Sequence, residues 1–196
     1  MSKVTIQGDA SGTGIFTIAS PNSNTDRTLV LPDEAGTVDL LQRSGNVLQV
    51  LQTTKTDTFS VASTTFTDIT GLSVSITPTS TSSKILVLID LSLGPTASSA
   101  GLARLVRDSL PLYLGDSAGS RPSSLIQAFT GSSYFTVRSG GIFLDSPASV
   151  SSVTYKLQLA STDGSINYMN RTAGDRDTSG YDGRTASSIT VMEIAG

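Results

Sequence analysis

Apolar and polar residues alternate with a period of two along most of the chain after the first 45 residues. The clearest stretch covers residues 72–77, where Leu72, Val74 and Ile76 share one face and serine or threonine occupies the other. The same alternation recurs over residues 153–159. This pattern is typical of a strand that buries one face and exposes the other. It predicts an all-β fold.

Residues 85–93 (ILVLIDLSL) depart from strict alternation, because both faces are apolar at first. This predicts a central strand that is covered on both sides, as in a sandwich or at a subunit interface. Only residues 97–105 have a pattern that also permits a helix. Many short strands at regular spacing predict a β-sandwich or jelly roll. The other predicted strands cover residues 47–53, 56–61, 65–69, 102–106, 110–114, 125–130, 134–143, 165–169 and 187–194, and turn signals such as Gly94-Pro95 and Gly140-Gly141 separate many of them.

The first 45 residues have a different character. Their short apolar pieces are joined by Gly, Asn, Asp and Pro, and they contain too little apolar mass for an independent core. We therefore expect two parts: residues 1–45 as a segment of short strands that docks on something else, and residues 46–196 as a jelly-roll-like β-sandwich domain. The apolar pieces of the segment include Ile15, Phe16, Ile18, Leu29 and Leu31.

Composition narrows the possible functions. The chain has no His, Cys or Trp, which excludes Ser-His-Asp and Cys-His catalysis, disulfides and zinc sites with nitrogen or sulfur ligands. The net charge is −3, and the basic residues are scattered singly, so we expect no nucleic-acid partner. The N-terminus lacks the apolar core of a signal peptide, and no run approaches the roughly 20 apolar residues that span a bilayer. We expect a protein made in a cytoplasm, with no membrane insertion and no cofactor.

Serine and threonine together make up 58 of the 196 residues. Polar compositions of this kind are common in disordered chains, but here the mean hydropathy is slightly positive and the apolar residues form strand-length clusters. The hydroxyl groups instead fit the polar faces of strands. We expect a folded β protein with a hydroxyl-rich surface.

Two stretches resemble proteins of tailed bacteriophages. The segment GTGIFTIASP at 12–21, followed by TLVLPDEAGTV at 28–38, is similar to a short β repeat of tail-fibre and other appendage proteins. The remainder resembles C-terminal domains of phage structural proteins, notably at 46–52, 65–74 and 187–194. The two matches cover most of the chain, although they consist of low-complexity β motifs and include no catalytic signature.

The resemblance implies a phage virion structural protein that is not an enzyme: a short trimeric tail fibre or appendage that contributes to host attachment. Three copies wound about a common axis can bury the apolar strands of residues 1–45, so we expect a homotrimer. The same segment is the expected virion anchor, which attaches the chain to other virion proteins of the tail, neck or capsid. The β-sandwich domain from residue 46 onward is expected to have about eight strands. One alternative is a capsid decoration or cement protein, and another is a free carbohydrate-binding module.

The loop at 171–185 is the leading candidate for contact with a receptor or host glycan. It is longer than most connections in compact domains, and loops of that length are often functional. An aromatic ring beside hydrogen-bonding Asp and Arg groups suits sugar binding, although a solvated loop whose charges pair with one another is the competing interpretation. The candidate contact residues are Tyr181, Arg176, Asp175, Asp177, Asp182 and Arg184.

Weaker candidates lie elsewhere. Asp175-x-Asp177-x-Ser179-Gly180 matches the opening of a calcium loop, but position twelve is Ala186 in place of the bidentate Glu, so no metal is expected. Asp90 is the only acid within an apolar strand, and burial would raise its pKa, yet a lone Asp is a poor basis for catalysis. Asn170-Arg171-Thr172 is a formal glycosylation sequon that we treat as chance. A second possible receptor cluster contains Tyr113, Asp116, Arg121, Tyr134 and Phe135, and one of its last two residues is expected in the core.

Overall fold

The computed structural model of the chain describes residues 11–15, 17, 24–26, 28 and 43–196. All strands of the described residues belong to a compact unit that runs from Asp39 to Gly196. Most of the predicted N-terminal strands lie outside the described residues. The strands are β1 (Val47–Lys55), β2 (Phe59–Val61), β3 (Thr67–Ile76), β4 (Lys84–Pro95), β5 (Gly101–Arg107), β6 (Leu110–Leu112), β7 (Ile126–Ala128), β8 (Val137–Asp145), β9 (Val153–Ser161), β10 (Asn167–Met169) and β11 (Ser187–Ile194).

The strands form two antiparallel sheets, so the predicted all-β fold is confirmed. The first sheet has the order β1-β11-β4-β10-β2, and β8 pairs with the other edge of β4. The second sheet has the order β3-β9-β5-β6, and β7 also pairs with β5. The long strands β1, β3, β4, β5, β8, β9 and β11 alternate between the two sheets along the chain. The architecture is that of a β-sandwich, and the described residues contain eleven strands, more than the eight expected.

The core lies between the sheets and is built from alternate residues of each long strand. On β4 the buried positions are Ile85, Val87, Ile89, Leu91 and Leu93. They face residues from β3, β5 and β9 of the second sheet, because successive side chains in a strand point to opposite faces. The members contributed by that sheet include Leu72, Val74, Ile76, Leu105, Tyr155, Leu157 and Leu159.

Strand β4 is central, as predicted, because β8 flanks one edge and β11 and β10 flank the other. Its second face is less covered than expected. Leu86, Leu88 and Asp90 point away from the core and are only half-buried in the single chain. The region 97–105, which also permitted a helix, contains the start of β5.

Two predicted turns lie inside strands. Gly94-Pro95 ends β4, and Gly140-Gly141 lies within β8. A side chain at Gly94 would overlap the carbonyl of Arg171, and one at Gly140 would overlap the carbonyl of Ile89. These glycines therefore permit close approach of backbone segments, and they do not mark chain reversals.

Candidate functional site

The base of the loop between β10 and β11 is fixed by Asn170. This residue is fully buried, and its amide donates to the carbonyls of Lys55 (2.8 Å) and Asp57 (2.9 Å). Its side-chain oxygen accepts a hydrogen bond from the Ser187 hydroxyl at 2.7 Å. The backbone is left-handed here, with φ of 61°, which Asn tolerates better than most residues. One side chain therefore connects the loop to β1, to the turn after β1 and to β11.

The arms of the loop are held together by a carboxylate between two guanidinium groups. Thr185 N–H donates to the Asn170 carbonyl at 3.2 Å, and Arg171 and Arg184 form an isolated β-bridge. The Asp175 carboxylate pairs with Arg171 and, at 2.8 Å, with Arg184. The predicted charge pairing within the loop is confirmed for these three residues.

Asp182 organises the centre of the loop. Its side chain is only 1% exposed, and it accepts hydrogen bonds from the Thr172 hydroxyl (2.7 Å), the Arg176 backbone N–H (2.9 Å) and Arg176 Nε (3.2 Å). Hydrogen bonding from Arg176 is the largest cause that lowers the pKa of Asp182, to about 2, and Thr172 contributes next. The carboxylate is ionised at neutral pH, where it fixes the direction of the Arg176 side chain.

The Arg176 guanidinium lies between two exposed tyrosine rings. Its central carbon is 3.9 Å from the centre of the Tyr134 ring and 5.7 Å from that of Tyr181. The ring centres are 5.9 Å apart and the planes are inclined by 43°. Tyr134 is 43% exposed and Tyr181 58%, so each ring presents surface to solvent. We call Tyr134, Arg176 and Tyr181 the tyrosine platform.

The platform combines two loops that are distant in the sequence. Tyr134 belongs to the connection between β7 and β8, and Gly174 N–H donates to the Ser133 carbonyl at 2.9 Å to join that connection to the 171–185 loop. An exposed aromatic face stacks on the C–H groups of a flat ligand, and the guanidinium supplies hydrogen-bond donors at its side. The arrangement suits a neutral or acidic sugar ring.

The structure therefore brings together only some of the predicted contact residues. Arg176, Tyr181 and Asp182 are adjacent, whereas Asp175 and Arg184 belong to the neighbouring ion-pair group with Arg171. Asp177 is exposed, with φ of 56°, and among the described residues it lies outside both groups. Sequence reasoning missed the role of Tyr134 in this site, because its pairing with the loop depends on tertiary packing and leaves no local pattern.

The second predicted receptor cluster is not a single cluster. Tyr113 stacks on Phe143 with ring centres 5.1 Å apart, and Tyr134 belongs to the tyrosine platform. Asp116 and Arg121 lie in the connection between β6 and β7. The expectation that Tyr134 or Phe135 is a core residue was wrong, because both are exposed. They precede β8, which begins at Val137, so strand alternation does not apply to them.

Three further expectations can be compared with the structure. Asp90 is only half-buried: its side chain is 40% exposed and pairs with Arg138, so the expected burial of this carboxylate was wrong. The first acid of the calcium-like pattern, Asp175, is engaged by two guanidinium groups. Of the predicted anchor residues, Ile15 is exposed. Phe16, Ile18, Leu29 and Leu31 lie outside the described residues.

Comparison with known proteins does not assign the chain to a family. No protein-family model matches the chain, and no curated protein shows significant similarity to it. Among the described residues, no helical segment has the length and apolar character needed to cross a bilayer.

Proposed function

We propose that the chain is a structural protein of a bacteriophage virion, a short trimeric tail fibre or appendage that binds a host-surface glycan and catalyses no reaction. The tyrosine platform is the observation that carries the binding part of this proposal. The resemblance of residues 12–38 to appendage proteins supports the placement on a virion. Residues 1–45 then serve as the anchor, and the sandwich presents the platform to the host.

The geometry of the platform supports binding by a rigid surface. The Asp182 carboxylate is held by Thr172 and by the Arg176 backbone, so the Arg176 guanidinium is placed before a ligand arrives. A pre-organised group loses less conformational entropy on binding. The two tyrosine rings are inclined to each other, so a ligand can contact two aromatic faces that point in different directions. A sugar that stacks on Tyr181 and accepts hydrogen bonds from Arg176 fits this surface.

Binding of the purified full-length chain to an array of bacterial surface polysaccharides tests the proposal. We expect selective binding, and we expect Tyr181→Ala to weaken it by roughly thirtyfold, equivalent to about 2 kcal/mol, because a central aromatic anchor is lost. Tyr113→Ala is the matched control, since Tyr113 is also an exposed tyrosine but lies on Phe143 and outside the platform. The control should bind like the parent chain.

Equal binding by the Tyr181→Ala and parent chains would refute the glycan site. Loss of binding with Tyr113→Ala alone would instead assign recognition to the surface around Tyr113 and Phe143. The placement on the virion has a separate readout, which is the copy number per particle. A small number of trimers fits an appendage, whereas hundreds of copies per particle would favour the capsid decoration protein.

A further inference from the structure

The two outer faces of the sandwich differ sharply in polarity. On the second sheet, outward side chains pair with one another: Lys156 Nζ lies 2.7 Å from the Asp68 carboxylate, and Arg104 Nε donates to Gln158 at 2.7 Å. Ser75 and Thr154 share a hydrogen bond of 2.8 Å on the same face. This surface satisfies its polar groups within one chain and is suited to solvent.

The outer face of the first sheet is instead mostly apolar. The register of its strands aligns Val50, Met192, Leu86 and Leu144 in one row across four strands. In the next row Leu88 lies beside Ile142, and the other two members are Gln52 and Thr190, which are polar and hydrogen-bonded to each other at 2.7 Å. Directly paired residues share a face of the sheet. Ile142 is 64% exposed, and Val50 and Leu144 are exposed as well. The apolar face consists of Val47, Val50, Leu86, Leu88, Ile142, Leu144, Met192 and Ile194.

Charged groups lie only at the rim of this face. On the outward side of β4, Lys84 lies at one end and Asp90 at the other, with Leu86 and Leu88 between them. Asp90 is neutralised by Arg138. Gly140 and Gly141 leave a shallow groove beside Ile142 and Leu88, into which an apolar side chain can fit. A second apolar sheet face can approach without meeting a like charge at the centre.

The size of the apolar face limits what can cover it. Four strands spaced about 4.8 Å apart, over seven residues that each rise about 3.3 Å, give a plane of roughly 400 Å². Monomers rarely leave a larger apolar patch open to water, whereas a stable pairwise interface takes about 800 Å² from each partner. An unrelated protein would therefore need much additional contact surface. A copy of this chain has a further contact available, because residues 1–45 are predicted to associate with other copies.

The N-terminal segment and the apolar face are close together along the chain. After Arg43 the chain continues directly into β1, the edge strand whose Val47 and Val50 belong to the apolar face. If copies are joined through residues 1–45, their apolar faces are held at a high local concentration, because β1 begins directly after that segment, at Val47. An apolar face that is too small to hold separate copies together can then form a stable contact between joined copies.

We propose that the apolar face is the contact between copies, and that two further copies of this chain cover it around a threefold axis. The inference rests on the trimer of the proposed function and names the surface through which its heads pack. Three flat sheet faces around one axis enclose a common apolar core and leave no open end to which a fourth copy adds. The polar face of each second sheet then points outward.

Because the chain contains no cysteine, single cysteines can report on this surface in the full-length protein. Ile142→Cys places a thiol on the apolar face, and Leu110→Cys is the matched control on the second sheet, where the parent side chain is 50% exposed. Both positions are exposed in a single chain, so neither change should prevent folding. Light scattering gives the mass of each variant, and the rate of alkylation by iodoacetamide gives the accessibility of its thiol.

We expect a mass of three times 20.3 kDa for both variants. We also expect alkylation of the Ile142→Cys thiol to be slower than that of the control by about tenfold or more, because the reaction must wait for the faces to separate. In guanidinium chloride the two rates should become equal. Equal rates in a trimer of the same mass would overturn the inference and leave the trimer standing. A mass near 20.3 kDa would overturn the trimer, and the inference with it.

Discussion

Buried polar side chains connect elements that are far apart in this sequence. Glu193 is fully buried and accepts hydrogen bonds from Thr79 N–H (2.7 Å), the Thr79 hydroxyl (2.8 Å) and the Gln49 amide (2.6 Å). Burial opposes its ionisation, but these donors outweigh that effect and hold the pKa of Glu193 below its ordinary value. One carboxylate thus ties β1 and the turn before β4 to β11.

Asn170 provides a prediction at the scale of a single residue. Asn170→Ala leaves two backbone carbonyls and the Ser187 hydroxyl without their partner, so we expect the free energy of unfolding to fall by about 3 kcal/mol. Asn170→Gly loses the same hydrogen bonds but adopts φ of 61° without strain, so it should be about 1 kcal/mol more stable than the alanine variant. Urea denaturation of both variants measures the two differences. Unchanged stability in Asn170→Ala would contradict the assigned role of the side chain.

Single residues were the hardest feature to predict from the sequence. The sequon at Asn170 was set aside as chance, and the structure gives this Asn a structural role, since it is fully buried and hydrogen-bonded. The expected burial of Asp90 was wrong because strand position alone does not show which face is covered. Tyr134 joined the platform through Gly174 and Arg176, which lie some forty residues away in the sequence.

At the scale of elements, alternation was a reliable guide, because burial of one face imposes the period directly. The strands predicted at 47–53, 153–159 and 187–194 are all present. Two predicted strands, 65–69 and 72–77, form the single strand β3, whose register against β9 shifts between Asp68 and Ser73. Gly71 adopts φ of 78° at this irregularity, so a bulge separates the two parts of the strand.

The two sheets are also joined by a buried polar group at one edge. Asp145 at the end of β8 accepts hydrogen bonds from the Tyr155 hydroxyl of β9 and from Arg107 Nη1 of β5, both at 2.6 Å. Tyr155 is fully buried, and burial, together with the neighbouring Asp145, raises the pKa of its hydroxyl well above the ordinary value. The hydroxyl is therefore protonated at neutral pH, where it donates its hydrogen bond to Asp145.

Tyr155→Phe tests this connection between the sheets. The ring stays in the core while the buried Asp145 loses one donor, so we expect a loss of roughly 2 kcal/mol in the free energy of unfolding. Tyr168→Phe is a matched control on β10, since Tyr168 is only half-buried and its ring faces Arg171. Guanidinium denaturation followed by tyrosine fluorescence measures both variants. Equal stability of the two would show that the Tyr155 hydroxyl contributes little.

At the scale of the whole molecule, the titratable groups predict how stability depends on pH. The sequence has no His, so no side chain has an ordinary pKa between 5 and 8. Folding lowers the pKa of Asp182 and of Asp163 to about 2, and it lowers that of Glu193. For Asp163 the Ser99 hydroxyl is the largest cause. Groups whose pKa is lowered in the folded state stabilise it above their unfolded pKa, and this contribution is lost as the pH falls toward the folded value.

We therefore expect the free energy of unfolding to be nearly constant from about pH 6 to 8 and to decrease steadily below about pH 4. Urea denaturation at intervals from neutral pH to about pH 2.5 measures this profile. The Asp182→Asn variant should be less stable than the parent at neutral pH and should lose less stability on acidification. Stability that rises below pH 4, or a variant whose acid dependence matches that of the parent, would contradict the assignment.

The pairing of β1 with β11 has a consequence for the order of events in the cell. Gln52 and Thr190 are direct partners in this ladder although they are 138 residues apart along the chain. While the ribosome is still making the intervening residues, β1 has no β11 to pair with, so the first sheet cannot be completed until β11 has been made. The apolar residues of β4 and β8 then depend on the late arrival of β11, and segments that wait in this way are prone to aggregate. We therefore expect a chaperone that holds β4 until β11 emerges to raise the yield of folded protein. Keeping neighbouring nascent chains further apart should have the same effect. Both should raise the yield more than any change on the hydroxyl-rich surface.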